Sequence, residues 1–381
     1  MKVAIVLSGL GAGGAERVVN IIANHWAERG WSIAVVTLDP PGTSSYYRFD
    51  PRVSIRWLGL PPRPQNKLRA ARAICRRITA LRRVLSEISP DLVITFLTRQ
   101  NVLTLVATWG MGIPVVVSER SNPQLQNPGR IWNWLRTWLY PRAFGLVTMT
   151  EGARDFFPKD VRARTWIIPN PVHLPAEWRE RRGRQLLVAV GRLETVKGFD
   201  LLLRAFGSIA PSFPDWKLVI WGEGRERYAL EQLRNRLGLQ NRVELPGLTE
   251  QPGIWIETAD VFVLSSFYEG WPNALMEAMA SGLPVVSYDC QWGPREMIQH
   301  SVDGVLVTRR DVPALAEALA RMLGDSDLRR RLGKAARISA RRFAPDKVMA
   351  RWDELVRAAA RSRGGSSAQR CKGPGLTSHY Q

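Results

Sequence analysis

The 381-residue chain is long for a single core and fits two domains of ordinary size. Its 45% hydrophobic and 23% charged residues are an ordinary globular composition, which excludes a disordered or fibrous chain. The net charge of +20 is unevenly spread: residues 1–180 carry 24 Lys/Arg against 12 Asp/Glu, residues 181–324 carry 16 against 17, and residues 325–381 carry 14 against 5.

A basic front half and tail around a neutral middle point to one face drawn to something anionic, whether nucleic acid, a phosphorylated substrate or lipid. Cys75, Cys290 and Cys371 are odd in number and outside any metal-ligand spacing. A reducing compartment is expected, with no structural disulfide or zinc site. The apolar run Val3–Leu7 is too short for a signal peptide and is soon followed by Glu16 and Arg17. No run approaches the roughly 20 apolar residues of a spanning helix. The expected location is the cytoplasm, peripheral on the inner face of the membrane.

Apolar runs alternate with helix-period stretches, the pattern of a parallel sheet covered on both faces. Strands are expected at Val3–Leu7, Ile33–Leu38, Val53–Leu58, Leu92–Phe96, Val115–Ser118 and Leu146–Met149. Trp166-Ile167-Ile168 then runs into Pro169-Asn170-Pro171, a rigid exit. The pattern restarts with strands at Leu186–Val190, Lys217–Trp221, Val243–Leu245, Val261–Leu264, Pro284–Tyr288 and Val305–Val307. The expected organisation is a first Rossmann-like domain over 1–172, a linker over 173–185 and a second domain over 186–340. A helix over 341–362 returns towards the first domain, and 363–381 form a disordered tail.

Gly9-Leu10-Gly11-Ala12-Gly13-Gly14 follows the first strand and opens a helix, and Asp39 ends the second strand. This matches a dinucleotide fingerprint with its ribose-binding acid, so a nicotinamide-dependent dehydrogenase is a competing reading. A glycine turn at a helix start can also bring backbone N–H groups to a phosphate or sugar hydroxyl, or serve as a tight turn with no ligand.

Three segments of the second half should meet at one sheet edge. In Gly191-Arg192-Leu193-Glu194-Thr195-Val196-Lys197-Gly198, Arg192 and Lys197 lie five residues apart and can grip both phosphates of a diphosphate. Gly222-Glu223-Gly224 again follows a strand, and its small residues should allow a ligand close approach. In the third, Glu269 and Glu277 lie eight positions apart, the first in a loop and the second one turn into a helix starting near Asn273. That helix start offers N–H groups and positive partial charge to a pyrophosphate. Glu277 can accept from ribose hydroxyls, and Glu269 can reach the sugar.

With Gly13-Gly14-Ala15-Glu16-Arg17 and Val243-Glu244-Leu245-Pro246-Gly247 added, these segments resemble the retaining glycosyltransferases of family 4 over nearly the whole chain. The resemblance implies an α/β fold of GT-B type, two doubly wound Rossmann-like domains facing a central cleft. It implies that Arg192 and Lys197 bind the donor diphosphate, Glu277 the ribose and Glu269 the transferred sugar. Gly13 and Gly14 would close on the donor from the first domain. Gly222, Gly224, Leu245, Gly247, Asn273, Ala274 and Leu275 complete the expected donor set. Asp289–Ile298 and Ser118–Pro123 look like the branch that uses UDP-N-acetylgalactosamine or related UDP-sugars. A GDP-mannose-type mannosyltransferase is the alternative within the family.

Many family members carry a histidine near the reaction centre in the first half, and here His25 and His173 occupy no such loop. Glu119, Arg120 and Asn122, at a strand end, are the expected acceptor-orienting residues instead. No Asp-x-Asp motif is present, so neither a metal nor any other cofactor is expected, and cations with helix N–H groups would stabilise the leaving diphosphate. Retention in this fold is explained by front-face attack, which needs no protein nucleophile.

The acceptor is read from the basic half. Arg69, Arg72, Arg76 and Arg83, interleaved with Leu68, Ile74, Ile78, Leu81 and Leu85, give an amphipathic helix with a cationic face, as in membrane-surface binding. Trp132, Trp134 and Trp138, set among Arg130, Arg136 and Arg142, suit the headgroup level. The implied partners are a nucleotide-sugar donor, a polyprenyl-diphosphate-linked glycan acceptor and an anionic membrane, with a soluble glycan as the alternative acceptor. No helix-turn-helix, zinc-finger or RNA-binding signature is present, so nucleic acid is not expected.

Overall fold

In the computed structural model, residues 1–60, 67–125, 128–175, 183–249, 253–290 and 292–364 are described, the side chains of 67–69 and 363–364 excepted. The expected tail and most of the expected linker lie outside the described residues. Contacts divide the chain into two compact units, residues 1–171 together with 346 onward, and residues 172–345.

The first unit runs β1 (Lys2–Leu7), α1 (Gly14–Glu28), β2 (Ser32–Thr37), β3 (Ser54–Trp57), α2 (Lys67–Ile88), β4 (Leu92–Phe96), α3 (Thr98–Ala107), β5 (Val115–Ser118), α4 (Arg130–Leu139), β6 (Gly145–Thr148), α5 (Glu151–Asp155), α6 (Lys159–Arg162) and β7 (Thr165–Ile167). The second runs β8 (Leu186–Val190), α7 (Phe199–Ile209), β9 (Lys217–Trp221), α8 (Arg227–Arg236), β10 (Val243–Gly247), α9 (Ile254–Thr258), β11 (Val261–Leu264), α10 (Asn273–Ala280), β12 (Val285–Tyr288), α11 (Pro294–Met297), β13 (Val305–Val307), α12 (Val312–Gly324) and α13 (Ser326–Ala340). Then α14 (Pro345–Gly364) follows.

Both sheets are parallel throughout, ordered β3-β2-β1-β4-β5-β6-β7 and β10-β9-β8-β11-β12-β13. The central strands are continuous Val/Ile/Leu runs because helices cover both faces and no side needs to meet water. The strand order reverses between β1 and β4 in one sheet and between β8 and β11 in the other. Beyond the carboxyl ends of strands at such a reversal the flanking loops diverge and leave a crevice, which is where doubly wound folds bind ligands.

The last helix belongs to the first unit although its sequence follows the second. Trp352, Leu355, Val356 and Ala359, at helical spacing, are buried with Trp26, Phe96 and Ile168 in one cluster. Burial of Leu355 and Val356 contributes roughly 1.5–3 kcal/mol each. Asp353 fixes the register: its carboxylate accepts the indole N–H of Trp26 at 2.7 Å and pairs with Arg29.

Candidate functional site

At the reversal in the second sheet, the loops after β8 and β11 are stitched together. The amide of Phe267 donates to the carbonyl of Val196 at 2.8 Å, and the Ser265 hydroxyl to that of Lys197 at 2.8 Å. This frame brings Lys197 Nζ to 2.6 Å from Glu269 Oε1, which also accepts the Ser266 hydroxyl at 2.6 Å. Both side chains are largely buried, so this ion pair is far less screened than a surface one. Cys290 lies against the same loop, its thiol donating to the Ser266 carbonyl at 3.0 Å, and burial pushes that thiol up to about 12. Arg192, by contrast, is well exposed and reaches Glu194 at 2.7 Å. The two cations assigned to the diphosphate thus differ: one is held in place, the other stands in solvent beside a short partner.

The glycines do something other than the sequence suggests. A Cβ on Gly222 would collide with the Gly191 carbonyl, and one on Gly224 with the carbonyl of Leu193. Gly222 also has φ +145°, which side chains rarely adopt. Their small size lets the loop after β9 close onto the loop after β8, where Leu193 N donates to Glu223 O at 2.9 Å. On the side where a Cβ would lie, the space is filled by backbone. Gly247 plays a similar part, its carbonyl accepting from Gly222 N at 2.9 Å. Leu245 is half-buried against the core of the second unit.

Helix α10 begins at Asn273 after Pro272, a residue with no capping side chain. Asn273, Ala274 and Glu277 are partly exposed along one face, whereas Leu275 is fully buried, so only its backbone could meet a ligand. Gly293 packs onto this segment, and a Cβ there would come within 3.0 Å of Pro272 Cδ and 3.6 Å of Glu269 Cβ. The loop holding Gly293 thereby braces the Glu269 loop, a tertiary contact with no signal at the sequence level.

In the first unit the glycine loop is held from within. Asp39 accepts the Leu10 amide at 2.8 Å and the Thr37 hydroxyl at 3.0 Å. The acid that a dehydrogenase would aim at a ribose is here committed to the loop itself. Glu16 folds back over Gly13 at the start of α1, where any Cβ would meet its carboxylate, and burial raises its pKa. Gly14 is the first residue of that helix.

Of the three expected acceptor residues, Glu119 and Asn122 are buried. Glu119 is 1% exposed, and its carboxylate accepts the Tyr140 hydroxyl and, at 2.9 Å, that of Thr98. Burial pushes its pKa up against these partners and nearby Arg136. Asn122 is buried too, its Oδ1 accepting the amides of Gln124 and Leu125 as a turn cap. Arg120 lies over the rings of Phe96 and Trp352 and donates to Asn170 Oδ1 at 2.8 Å, and burial lowers its pKa to about 9. Glu119 and Asn122 thus brace the strand end from inside, whereas Arg120 is only partly buried and keeps guanidinium nitrogens without a partner among the described residues. The signal against exposure was the distant Tyr140, which a local reading does not connect to Glu119.

With this geometry the comparisons with known proteins agree. Residues 13–171 match the Glycosyl transferase 4-like domain, and residues 173–339 match Glycosyl transferases group 1. The chain belongs to the group 1, family-4-like glycosyltransferases. An α-1,4-N-acetyl-D-galactosaminyltransferase of Campylobacter jejuni, named for a diNAcBac-PP-undecaprenol-linked glycan, is 27% identical over 93% of this chain and 98% of its own length. An exopolysaccharide phosphotransferase of Streptomyces coelicolor is 30% identical over 93% of this chain, which spans only 40% of that longer protein. The fold matches sucrose-phosphate synthase from Thermosynechococcus elongatus with a TM-score of 0.80 at 20% identity, covering 94% of this chain and 99% of that one. This glycosyltransferase therefore has the GT-B architecture of two Rossmann-like domains.

Of the basic and aromatic residues expected at a membrane, most of those described in the glycosyltransferase's first unit are exposed, and Trp132 is not. Arg72, Arg76 and Arg83 are exposed on α2, and the side chain of Arg69 lies outside the described residues. The apolar side of α2 is not free, since Leu81 and Leu85 are fully buried in the core beneath it, with Ile74 and Ile78 packed alongside. Trp132 also turns inward against that core, with Arg99 over its ring at 5.6 Å, while Trp134 and Trp138 face solvent. With its apolar side in the core, α2 offers its charges to a partner. Among the described residues no helix is long and apolar enough to cross a membrane.

Proposed function

We propose that this glycosyltransferase moves N-acetylgalactosamine or a related sugar from a UDP donor to a polyprenyl-diphosphate-linked glycan, with retention, on the inner face of the membrane. The observation that carries the reading is the buried Lys197–Glu269 pair beside the start of α10. Lys197 is the cation for the donor diphosphate, joined by Arg192, and the amides opening α10 add positive partial charge. Glu277, on the exposed side of α10, takes the ribose hydroxyls. Glu269 takes the sugar and exchanges part of its bond to Lys197 for a sugar hydroxyl. Charge grows on the departing diphosphate as the C1–O bond breaks, so preorganised cations act most strongly in the transition state. No divalent ion is assigned a role. The Campylobacter relatives, one of them named for N-acetylgalactosamine transfer to a diphospho-undecaprenol-linked substrate, support the donor and acceptor classes.

The test is a transfer assay with UDP- and GDP-sugars against a diphosphate-lipid-linked acceptor, with the product's anomeric configuration read by NMR. α-Product from UDP-N-acetylgalactosamine is expected. A preference for GDP-mannose, or for a soluble glycan, or a β-product, would each overturn the corresponding part.

A further inference from the structure

With the apolar side of α2 spent on the core, the first unit still exposes a large apolar surface elsewhere. Ile131, Trp134 and Trp138 are 72%, 65% and 47% exposed, and Trp109, beyond the end of α3, is 49% exposed. Positions 131, 134 and 138 fall on one stripe of α4, while Trp132, Leu135 and Leu139 form a second stripe, about 100° round the helix, that packs inward. The outward rings are contiguous. Trp134 and Trp138 stack at 6.3 Å with 5° between their planes, and Trp109 lies 5.6 Å from Trp138. An ordered aromatic ridge in water marks a contact surface rather than a stray exposed side chain.

Its surroundings say what kind of contact. The guanidinium of Arg142 lies 4.3 Å from the Trp109 ring and 4.2 Å from that of Trp138, and it donates to the Trp138 carbonyl at 3.0 Å. Arg82 of α2 donates to the carbonyls of Ala107 and Trp109 at 2.9 and 2.7 Å, so one cation of the basic helix α2 reaches the ridge itself. Residues 67–88 hold seven cations, Arg72 and Arg76 among them, against the single acid Glu87. A protein partner docking on such a surface would need a strongly acidic, aromatic-binding face. A sugar-stacking platform would pair its rings with carboxylates and amides, not with Ile131 and guanidinium groups. A bilayer supplies both halves, phosphate for the cations and an interfacial zone in which indole rings settle.

We infer that Trp109, Ile131, Trp134 and Trp138 form an insertion ridge for an anionic phospholipid bilayer, with Arg142 seated at a lipid phosphate. This rests on the lipid-linked-acceptor reading but assigns the anchoring to α4 and Trp109, with α2 supplying only long-range attraction. Attraction by α2 is screened by salt, whereas burial of the ridge is not.

The experiment uses the full chain with vesicles of phosphatidylcholine, with and without phosphatidylglycerol, at low and high salt. Quenching of tryptophan fluorescence by lipids brominated near the headgroup reports insertion. The wild type should be quenched and should stay bound in part at high salt. The Ile131→Ser/Trp134→Ser/Trp138→Ser variant should partition about tenfold less or weaker still at high salt. Its melting temperature and UDP affinity should be unchanged, since these side chains lie outside the core. Wild-type binding without quenching, or equal binding by the variant, would overturn the ridge. So would a concentration-dependent dimer, or retention on a soluble glycan, that the variant abolishes. If quenching holds while no lipid-linked acceptor is glycosylated, the insertion stands and the acceptor assignment fails.

Discussion

Lys197 Nζ meets Glu269 Oε1 at 2.6 Å, and through that one contact the loop after β8 and the loop after β11 become a single charged surface. Seventy-two positions separate the two residues, and the cation proposed for the diphosphate and the carboxylate proposed for the sugar are each other's partner. Donor binding must then compete with an existing ion pair, which makes the two residues separable by experiment. Lys197→Ala should lose at least the value of a charge-assisted hydrogen bond, about 1.5–3 kcal/mol, in UDP affinity, with kcat falling as well. Glu269→Gln should instead keep or improve UDP affinity, because Lys197 is released, while turnover collapses. Calorimetry with UDP alongside steady-state rates separates these outcomes. Parallel losses of UDP affinity in both variants would refute the division of labour. In the same assay EDTA should leave activity intact; collapse restored by magnesium would assign the charge stabilisation to a metal.

Gly198 sets the distance between those loops. It has φ +60°, and a Cβ there would collide with the Ser265 carbonyl and lie 2.8 Å from the Phe267 ring. Gly198→Ala should cost a few kcal/mol, from a strained backbone and forced loop separation. Activity should fall further than stability, because Lys197 is displaced from Glu269. Denaturant melts and kcat measured on the folded fraction test this; a variant of unchanged rate would show that the loop spacing is not critical.

Much of the fold was legible from the chain, and the reason is physical. Strands buried on both faces must be continuous apolar runs, and runs such as Val115–Ser118 and Val261–Leu264 are strands in place. The glycines were legible as special but not as to why: only the fold shows that a side chain at Gly222 would meet the Gly191 backbone. Glu119 misled for a related reason. A carboxylate at a strand end reads as exposed unless its acceptor capacity is used, and its partner Tyr140 comes after α4. Trp109 joins the α4 tryptophans only through the fold, since it follows α3 in sequence. The helical phase, with 131, 134 and 138 on one stripe and 132, 135 and 139 on the other, was available in the sequence.

Asp39 offers a direct discrimination from a nucleotide oxidoreductase. Because its carboxylate is bound to the Leu10 amide and the Thr37 hydroxyl, NAD should not raise the melting temperature of this protein, whereas UDP should. Asp39→Ala should loosen the glycine loop and lower stability, while a thermal shift with UDP should persist through Lys197, the cation proposed for its diphosphate. A thermal shift with NAD and none with UDP would reverse the assignment.

Burial holds the Glu119 carboxyl above its usual value of 4.5, with Tyr140, Arg136 and Thr98 opposing the rise. A group raised on folding contributes stability that is complete below its unfolded pKa and lost as pH climbs through the folded one. Tyr140→Phe removes one of the opposing hydrogen bonds, so the folded value should rise further and more stability should be lost at the alkaline end. The deficit of Tyr140→Phe relative to wild type should therefore be larger near about pH 8 than near about pH 4.5. Chemical denaturation across that range measures it, and a deficit constant with pH would mean the ionised carboxylate does not depend on the phenol.

The remaining prediction isolates the cationic face of α2. Arg72 and Arg76 are exposed, and reversing both to Glu leaves the buried Leu81 and Leu85 untouched. Binding to anionic vesicles should weaken by up to about 1 kcal/mol for each cation removed, and the loss should shrink as salt rises. Arg83 is a poorer choice, since it already pairs with Glu87 at 3.0 Å and reversal would place two carboxylates one helical turn apart. UDP binding should be unchanged, because Lys197 and Glu269 lie in the other unit. Transfer to a vesicle-borne, lipid-linked acceptor should fall far more than transfer to a short water-soluble analogue of it. Equal losses on both acceptors would instead mean that the substitutions perturb the first unit as a whole, and the arginines of α2 would be solvated charges with no part in recruitment.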